Sequence, residues 1–240
     1  MAEYIVRLAT REQIADRTMA FHLEKPPGFE FRPGQFVDLT LLNPPEMDSQ
    51  GAIRTFTLAS APYENELVLA TRIRNSAYKR VLSGLLKGAE LRLEGPMGSF
   101  LMHQNPAKAG VCLAGGIGVT PFRSMLRQAF NEGFVHPIYL FYSNRRPEDA
   151  PFLEELRSLK ERNPQFSFIP TMTEMDRSTR KWDGERKLID REMLVQHFCS
   201  LNGPIFYIAG PPAMVAAMRE MLKRNDVSED DIRTEEFGGY

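Results

Sequence analysis

Apolar and polar residues alternate in four segments of the first hundred positions: residues 4–8, 35–42, 67–73 and 90–94. A period of two places successive side chains on opposite faces of a strand. Glycines and prolines, as in the Pro33-Gly34 pair, separate these segments and are typical of turns. We therefore predict a small antiparallel β-barrel or sandwich in this half of the chain.

Other segments interrupt these strands. Residues 76–86 carry apolar side chains at helical spacing, with Ser76 as a candidate cap, and residues 43–52 have the composition of an exposed loop. Residues 105–110 contain a proline and a glycine and form the best candidate boundary between domains. We predict one domain over residues 1–105 and a second over residues 106–240.

The pattern changes after residue 110 to short apolar runs that alternate with amphipathic helices. Such an alternation, with short connections, predicts a parallel sheet with helices on both faces. The predicted strands are residues 111–114, 138–142, 166–170 and 205–209. The predicted helices are residues 121–130, 150–162, 191–199, with Asp190 as its candidate cap, and a segment after Pro212.

Composition narrows the class of protein. The chain has 240 residues, 42% of them hydrophobic and 25% charged, and a net charge of −1. This near-neutral charge gives no reason to expect a nucleic acid or an anionic membrane as partner. No apolar run approaches the ~20 residues of a membrane-spanning helix, and the N-terminus lacks a signal-peptide pattern. We therefore expect a cytoplasmic protein and, for its oligomeric state, a monomer.

We expect no bound metal. Cys112 and Cys199 lie far apart in apolar settings, which is typical of buried, reduced thiols. Two cysteines cannot supply the four ligands of a typical iron–sulfur cluster. The four histidines are scattered without the spacing of metal ligands.

The segment Val111-Cys-Leu-Ala-Gly-Gly-Ile-Gly-Val-Thr-Pro121 predicts a buried strand, a glycine turn and the start of a helix, with Thr120 as its cap and Pro121 as its first residue. The free N–H groups and partial positive charge of a helix start bind anions, so a pyrophosphate is the natural ligand. Gly116 and Gly118 fit the pattern Gly-x-Gly-x-x-Gly, but Pro121 stands at its third position. An ordinary strand-to-helix turn is therefore the alternative.

Two other predicted strand ends could bind the same ligand. Gly210-Pro-Pro212 follows one strand and Tyr142-Ser-Asn-Arg-Arg146 follows another. Ligands of parallel sheets lie beyond the carboxyl ends of the strands, so a dinucleotide could span both glycine-rich turns. Arg145 and Arg146 favour NADP, because arginine suits a 2′-phosphate; solvated surface arginines are the alternative.

Four segments together resemble the ferredoxin–NADP reductase family. Arg54-Thr-Phe-Thr57 resembles its Arg-x-Tyr-Ser/Thr flavin motif, and Gly115-Gly-Ile-Gly-Val-Thr-Pro121 resembles its Gly-Gly-x-Gly-x-Thr-Pro nucleotide motif. Gly95-Pro-Met-Gly-Ser-Phe100 and Ala209-Gly-Pro-Pro212 resemble its Gly-Pro-x-Gly-x-Phe and Cys-Gly-Pro-Pro turns. The order and spacing match along nearly the whole chain. The resemblance implies an FAD-binding β-barrel followed by an NAD(P)-binding α/β domain.

The resemblance also implies roles for individual residues. Arg54 would pair with the FAD pyrophosphate, Phe56 would lie against the flavin ring, and Thr57 would hydrogen-bond near flavin N5. Phe237 or Tyr240 would cover the flavin face that the nicotinamide must reach, with a frayed C-terminus as the alternative. Of these residues, Thr57 and Phe237 are the predicted catalytic ones.

The predicted cofactor-binding set adds three groups to these residues: those that would line the flavin edge, those at the start of the barrel helix and those in the nucleotide-binding turns. Its members are Arg54, Thr55, Phe56, Thr57, Thr71, Arg72, Ile73, Arg74, Ala77, Tyr78, Lys79, Gly115, Gly116, Gly118, Thr120, Pro121, Ser143, Arg145, Arg146, Gly210, Pro211, Met214 and Tyr240.

The sequence departs from the family pattern at three places. Phe56 replaces a tyrosine and so lacks its hydroxyl, Ala209 replaces a cysteine, and Asn75-Ser-Ala-Tyr-Lys79 stands where many relatives have Gly-Gly-x-Met-Ser. We expect Lys79 to supply charge in place of a hydroxyl.

The resemblance implies an FAD-dependent enzyme that passes hydride from NADPH or NADH to flavin N5. Since no cluster cysteines are visible, the electrons would go to a separate acceptor such as ferredoxin or flavodoxin. Two alternatives remain: a flavin reductase that uses diffusible flavin as a substrate, and a non-catalytic electron-transfer or nucleotide-sensing subunit.

Overall fold

The computed structural model describes residues 2–133, 136–198 and 200–238. The chain forms two compact units: Met1–Leu101 with Thr120–Ala129, and Met102–Val119 with Phe130–Tyr240. Within the described ranges, no helix is long and apolar enough to cross a membrane. In those same ranges, histidine, cysteine and acidic side chains form no group of three or more that could hold a metal ion.

The first unit contains an antiparallel sheet. Its six strands are β1 (Ala2–Ala15), β2 (Thr18–Glu24), β3 (Phe36–Leu41), β4 (Ile53–Thr57), β5 (Glu66–Arg72) and β6 (Glu90–Met97). They pair in the order β4-β3-β6-β1-β2-β5. The two edges meet at a bridge between Leu58, directly after β4, and Leu69 of β5. This bridge closes the sheet into a barrel, as predicted.

Alternation along the strands builds the barrel core. In β3, Val37, Leu39 and Leu41 are buried, whereas Asp38 and Thr40 between them are partly exposed. The period of two read from the sequence is therefore the period with which side chains enter the core.

One helix, α1 (Ala77–Gly84), follows β5 in the chain. The Ser76 hydroxyl accepts the Lys79 N–H at 3.3 Å, so Ser76 is the N-cap, as predicted. The buried Tyr78 hydroxyl donates to the Leu39 carbonyl of β3 at 2.8 Å. This bond and the apolar contacts of Leu82 fix α1 on the barrel.

The first part of the next helix, α2 (Thr120–Asn131), packs within the same unit. Arg123 donates through Nη1 to the Ala59 carbonyl at 2.7 Å and to Glu64 Oε2 at 3.1 Å. The Ser124 hydroxyl donates to the Ser60 carbonyl at 2.6 Å. A buried cation is tolerated here because a carboxylate and a carbonyl both accept its N–H groups.

The second unit contains a parallel sheet. Its five strands are β7 (Gly110–Gly115), β8 (Ile138–Asn144), β9 (Phe166–Met172), β10 (Ile205–Gly210) and β11 (Ile232–Glu236), in the order β11-β10-β7-β8-β9. Its helices are α3 (Leu153–Arg162), α4 (Arg191–Val195) and α5 (Pro212–Lys223). Every residue of the central strands β7 and β10 is buried, as expected for a sheet covered on both faces. The predicted two-domain fold class is confirmed.

Several predicted boundaries differ from the structure. A 3-10 turn at Gly116–Val119 leads directly into α2, so Thr120 is a helical residue and not the cap. Another 3-10 turn, at Pro147–Asp149, delays the start of α3 to Leu153. Asp190 caps α4 as predicted, but that helix ends at Val195 instead of residue 199.

A stack of rings is buried in the second unit. The His136 and His103 rings are 4.6 Å apart, and Tyr207 lies parallel to His103 at 6.1 Å. His103 Nε2 lies 3.0 Å from the Lys108 carbonyl, and Nδ1 lies 2.9 Å from the Tyr207 hydroxyl. Because a carbonyl can only accept, Nε2 carries the proton and Nδ1 accepts from Tyr207, so the contacts fit a neutral His103.

This stack should make stability depend on pH. Burial and the neighbouring His103 lower the pKa of His136 to about 4, below its unfolded value of 6.5. At this position the unfolded chain then binds more protons, so the contribution of His136 to the free energy of unfolding should fall as the pH drops from 6.5 toward 4. Glu235 of β11, whose pKa burial raises to about 7, acts in the opposite direction, so the His136 contribution has to be measured as a difference between variants. The loss from His136 should be roughly 1–2 kcal/mol. Urea unfolding of the wild type and of His136→Phe at about pH 7 and about pH 5 measures it as the difference between the two proteins.

Replacement variants identify the group responsible. Between about pH 7 and about pH 5, His136→Phe should lose roughly 1–2 kcal/mol less in the free energy of unfolding than the wild type, whereas His197→Phe, at an exposed position, should keep the wild-type slope. An unchanged slope in His136→Phe would contradict this assignment.

Candidate functional site

Arg54 of β4 lies at the edge of loop 43–52. Its Nη1 donates to the carbonyls of Gln50, Gly51 and Ile53 at 2.9, 3.0 and 2.6 Å. Its guanidinium also lies 5.0 Å from the ring centroid of Tyr78. These contacts hold a planar cation in one orientation at the surface of the barrel.

Arg54 and the start of α1 converge on one anionic side chain, Asp48 of the same loop. Arg54 Nη2 lies 3.3 Å from Asp48 Oδ1, and the Ala77 N–H donates to Oδ2 at 3.0 Å. Desolvation opposes the charged carboxylate, but the N–H groups of Gln50 and Ala77 and the Arg54 guanidinium outweigh it and lower the pKa of Asp48. The region is therefore an anion-binding cradle made by two elements.

Lys79 adds a further cation to this region. Its Nζ donates to the Arg72 carbonyl at 2.8 Å. Burial, together with the positive charges of Arg74 and Arg54, lowers its pKa. The charge that we expect Lys79 to supply to a bound cofactor in place of a hydroxyl stays a prediction.

The remaining predicted barrel residues lie on β4, on β5 and in the segment after β5. The Thr55 hydroxyl donates to Asp38 at 2.5 Å, whereas Phe56 and Thr57 are buried. The Phe56 ring lies 6.1 Å from the Tyr78 ring, inside the barrel core. Thr71, near the end of β5, is buried as well. The roles of these residues and of Ile73 toward a flavin stay predictions.

In the second unit, the glycine turn after β7 lies against the end of β10. A Cβ on Gly118 would collide with the Ala209 carbonyl, and a Cβ on Gly115 would collide with Met214 of α5. A Cβ on Gly210 would lie 3.2 Å from the Gly115 backbone. The structure thus brings together the two glycine-rich turns that the sequence predicts to share a ligand.

The third predicted strand end carries Ser143, Arg145 and Arg146. Arg146 donates from Nε and Nη2 to the two carboxylate oxygens of Asp149 at 2.8 and 2.9 Å. Arg145 lies 3.4 Å from Glu174, with 66% of its side chain exposed. Arg145 is therefore the more accessible cation at this edge.

Sequence reasoning missed β11 and with it Glu235, which pairs in register with Ala209 of β10. Burial raises the pKa of Glu235 to about 7, and no described residue hydrogen-bonds to its Oε2. The Phe237 N–H donates to the Gly210 carbonyl at 2.9 Å, so the chain continues along β10 to its glycine-rich end. Tyr240 lies outside the described residues. A five-residue strand rich in acids gives little strand signal of its own.

Comparisons with known proteins support the two-domain fold and the NAD-binding domain. Residues 112–220 match the family model of the oxidoreductase NAD-binding domain. A crystal structure of a ferredoxin NADP+ reductase from Neisseria gonorrhoeae, with bound FAD and NADP, superposes with a TM-score of 0.82 at 21% identity. The match covers 98% of each chain. The chain therefore contains a match to the oxidoreductase NAD-binding domain and has the fold of that reductase.

Proteins similar to this chain include reductase components of oxygenase systems. The glycine betaine monooxygenase reductase subunit of Chromohalobacter salexigens is 30% identical over 225 residues, which is 92% of this chain and 60% of that protein. The ferredoxin–NAD(P)+ reductase component of the Pseudomonas putida naphthalene 1,2-dioxygenase system is 28% identical over 225 residues, covering 92% and 64%. The chain therefore spans less than two thirds of the length of these curated relatives.

The close approach of the glycine turn to β10 can be tested with Gly118→Ala. The added Cβ meets the Ala209 backbone, which cannot rotate away, so we expect a loss of about 2–4 kcal/mol in the free energy of unfolding. Gly84→Ala is the matched control, because nothing lies within 4 Å of its Cβ position. Chemical unfolding of the wild type and both variants measures the free energies of unfolding. A Gly118→Ala variant as stable as the wild type would contradict the close approach.

Proposed function

We propose that this chain is an FAD-dependent NAD(P)H reductase that passes electrons to a separate acceptor protein such as ferredoxin or flavodoxin. The observation that carries the proposal is the convergence of Arg54 and the Ala77 N–H on one anion. That cradle lies where the family resemblance implies the FAD pyrophosphate.

The donor set of the cradle fits a phosphate group. A guanidinium binds phosphate oxygens through more than one N–H, and a helix N-terminus adds a backbone donor and a partial positive charge. The Asp48 carboxylate already stands in for such an anion, since its two oxygens accept from Arg54 and Ala77. In this proposal Arg54 and the start of α1 hold the diphosphate, and Lys79 adds charge.

The second unit supports binding of a nicotinamide dinucleotide. The glycines at positions 115, 118 and 210 add no side chain of their own beside the backbone N–H groups of the turn after β7 and the end of β10. A pyrophosphate could approach those N–H groups closely. Arg145 is the residue we propose to contact a 2′-phosphate, which would favour NADPH.

Bound FAD would supply the redox chemistry, taking hydride at N5 and releasing electrons onward. The protein contributes binding and orientation. We propose that Thr57 hydrogen-bonds near the reacting nitrogen and that Phe237 covers the flavin. Glu235, with a pKa of about 7, can hold or release a proton near neutral pH.

The relatives support a redox-protein acceptor, because their names place them in monooxygenase and dioxygenase systems. We propose that this chain likewise serves an acceptor of a multicomponent electron-transfer chain.

Anaerobic stopped-flow mixing tests the proposed activity. The FAD-loaded protein should lose its flavin absorbance on mixing with NADPH or NADH, and a faster reaction with NADPH would support the role of Arg145. Absence of bleaching with either coenzyme would favour a nucleotide-sensing subunit. Loss of all flavin during gel filtration, with activity restored by added flavin, would favour a flavin reductase.

Arg54→Ala tests the diphosphate contact. Removing a charged hydrogen-bond donor should weaken FAD binding by about 10- to 100-fold. Quenching of flavin fluorescence during titration measures this affinity. Arg7→Ala is the matched control, since Arg7 is a largely exposed cation paired with Glu90. An Arg54→Ala variant that binds FAD as tightly as the wild type would contradict the assigned role.

A further inference from the structure

Two carboxylates of loop 43–52, those of Glu46 and Asp48, contact α1 at different residues. Glu46 accepts from Arg80 Nε at 2.9 Å and from Arg80 Nη2 at 2.6 Å, on the exposed side of the helix. Asp48 instead accepts the Ala77 N–H at the helix start and contacts Arg54. Only Asp48 therefore uses the groups that we assign to the flavin diphosphate.

The Asp48 carboxylate and a diphosphate cannot use the cradle at the same time. The Ala77 N–H has one hydrogen, which Asp48 Oδ2 accepts at 3.0 Å. A diphosphate oxygen at that position would displace the carboxylate. If Asp48 stayed nearby, the two anions would also repel each other at short range.

The loop is built so that Asp48 can be exchanged. Residues 42–43, 45–47 and 49–50 are exposed, and the loop contains no helix or strand. The hydrogen bonds described between this loop and α1 are those of Glu46 and Asp48, which water can replace. Release of Asp48 therefore exposes little apolar surface.

We propose that Asp48 is an internal competitor for the FAD diphosphate, so that FAD binds in exchange for the Asp48 carboxylate. This inference rests on the proposed function, because it takes FAD as the ligand of the cradle. In the exchange no covalent bond changes: Arg54 and the Ala77 N–H pass from a carboxylate to a phosphate oxygen. The competition lowers the affinity for FAD below what the cradle alone would give.

Equilibrium titration of the full-length apoprotein with FAD tests the proposal, with flavin fluorescence quenching as the readout. Asp48→Asn keeps the size of the side chain and removes the competing charge, so it should bind FAD about tenfold more tightly than the wild type. Asp48→Ala should change the affinity in the same direction. It provides the test if the asparagine variant does not fold.

Glu46→Gln is the matched control, because it neutralises a carboxylate of the same loop that contacts neither Arg54 nor Ala77. It should bind FAD like the wild type. Equal or weaker FAD binding by both Asp48 variants would overturn the proposal. Tightening of the same size in Glu46→Gln would also overturn it, because the effect would then come from the charge of the loop as a whole.

The same titration separates this inference from the proposed function. If the wild type binds FAD and the Asp48 variants bind it no more tightly, the role of Asp48 as a competitor is contradicted. The proposed reductase function is then unaffected. No FAD binding by the wild type or by any variant would contradict both.

Discussion

The central constraint on the candidate site of the barrel unit is that two positive groups lie close together and need an anion between them. The Arg54 guanidinium comes from β4, and the partial positive charge at Ala77 comes from the start of α1. Without an anion these groups would repel each other, and the Ala77 N–H would need another acceptor. Tyr78 brings them together: its hydroxyl holds α1 to β3 through the Leu39 carbonyl, and its ring lies under the Arg54 guanidinium. One buried aromatic residue therefore sets both the position of the helix and the direction of the cation.

The constraint in the second unit is steric, because two backbone segments lie too close together for a side chain between them. β7 and β10 are neighbours in the sheet, and the turn that follows β7 packs at Gly118 against Ala209, near the end of β10 itself. A side chain at that point would push the turn away from the strand and cover the backbone N–H groups. The glycines thus serve packing, because their missing Cβ atoms let the two backbones meet.

The sequence predicted features that depend on neighbours along the chain. The barrel strands, the Ser76 and Asp190 caps and the glycine turn follow from residues within a few positions of one another. Asp48 could not be found in this way, because its role depends on Ala77, which is 29 positions away. Glu235 was missed for the same reason: β11 exists because β10 offers it a parallel partner, and burial beside Ala209 is what raises the carboxyl pKa. The predicted cap at Thr120 was wrong because a 3-10 turn extends the helical path backward to Gly116.

The Asp48 contacts also explain why an anion-binding cradle can be assembled before its ligand arrives. Orienting a guanidinium and a helix start for a phosphate costs free energy if they face each other without a counter-charge. A carboxylate supplied by the chain offsets that cost and keeps both donors in place. The same carboxylate then subtracts from the free energy of ligand binding, since it must leave. Preorganisation and affinity are therefore linked through a single side chain, and the strength of the Asp48 contacts sets the balance between them.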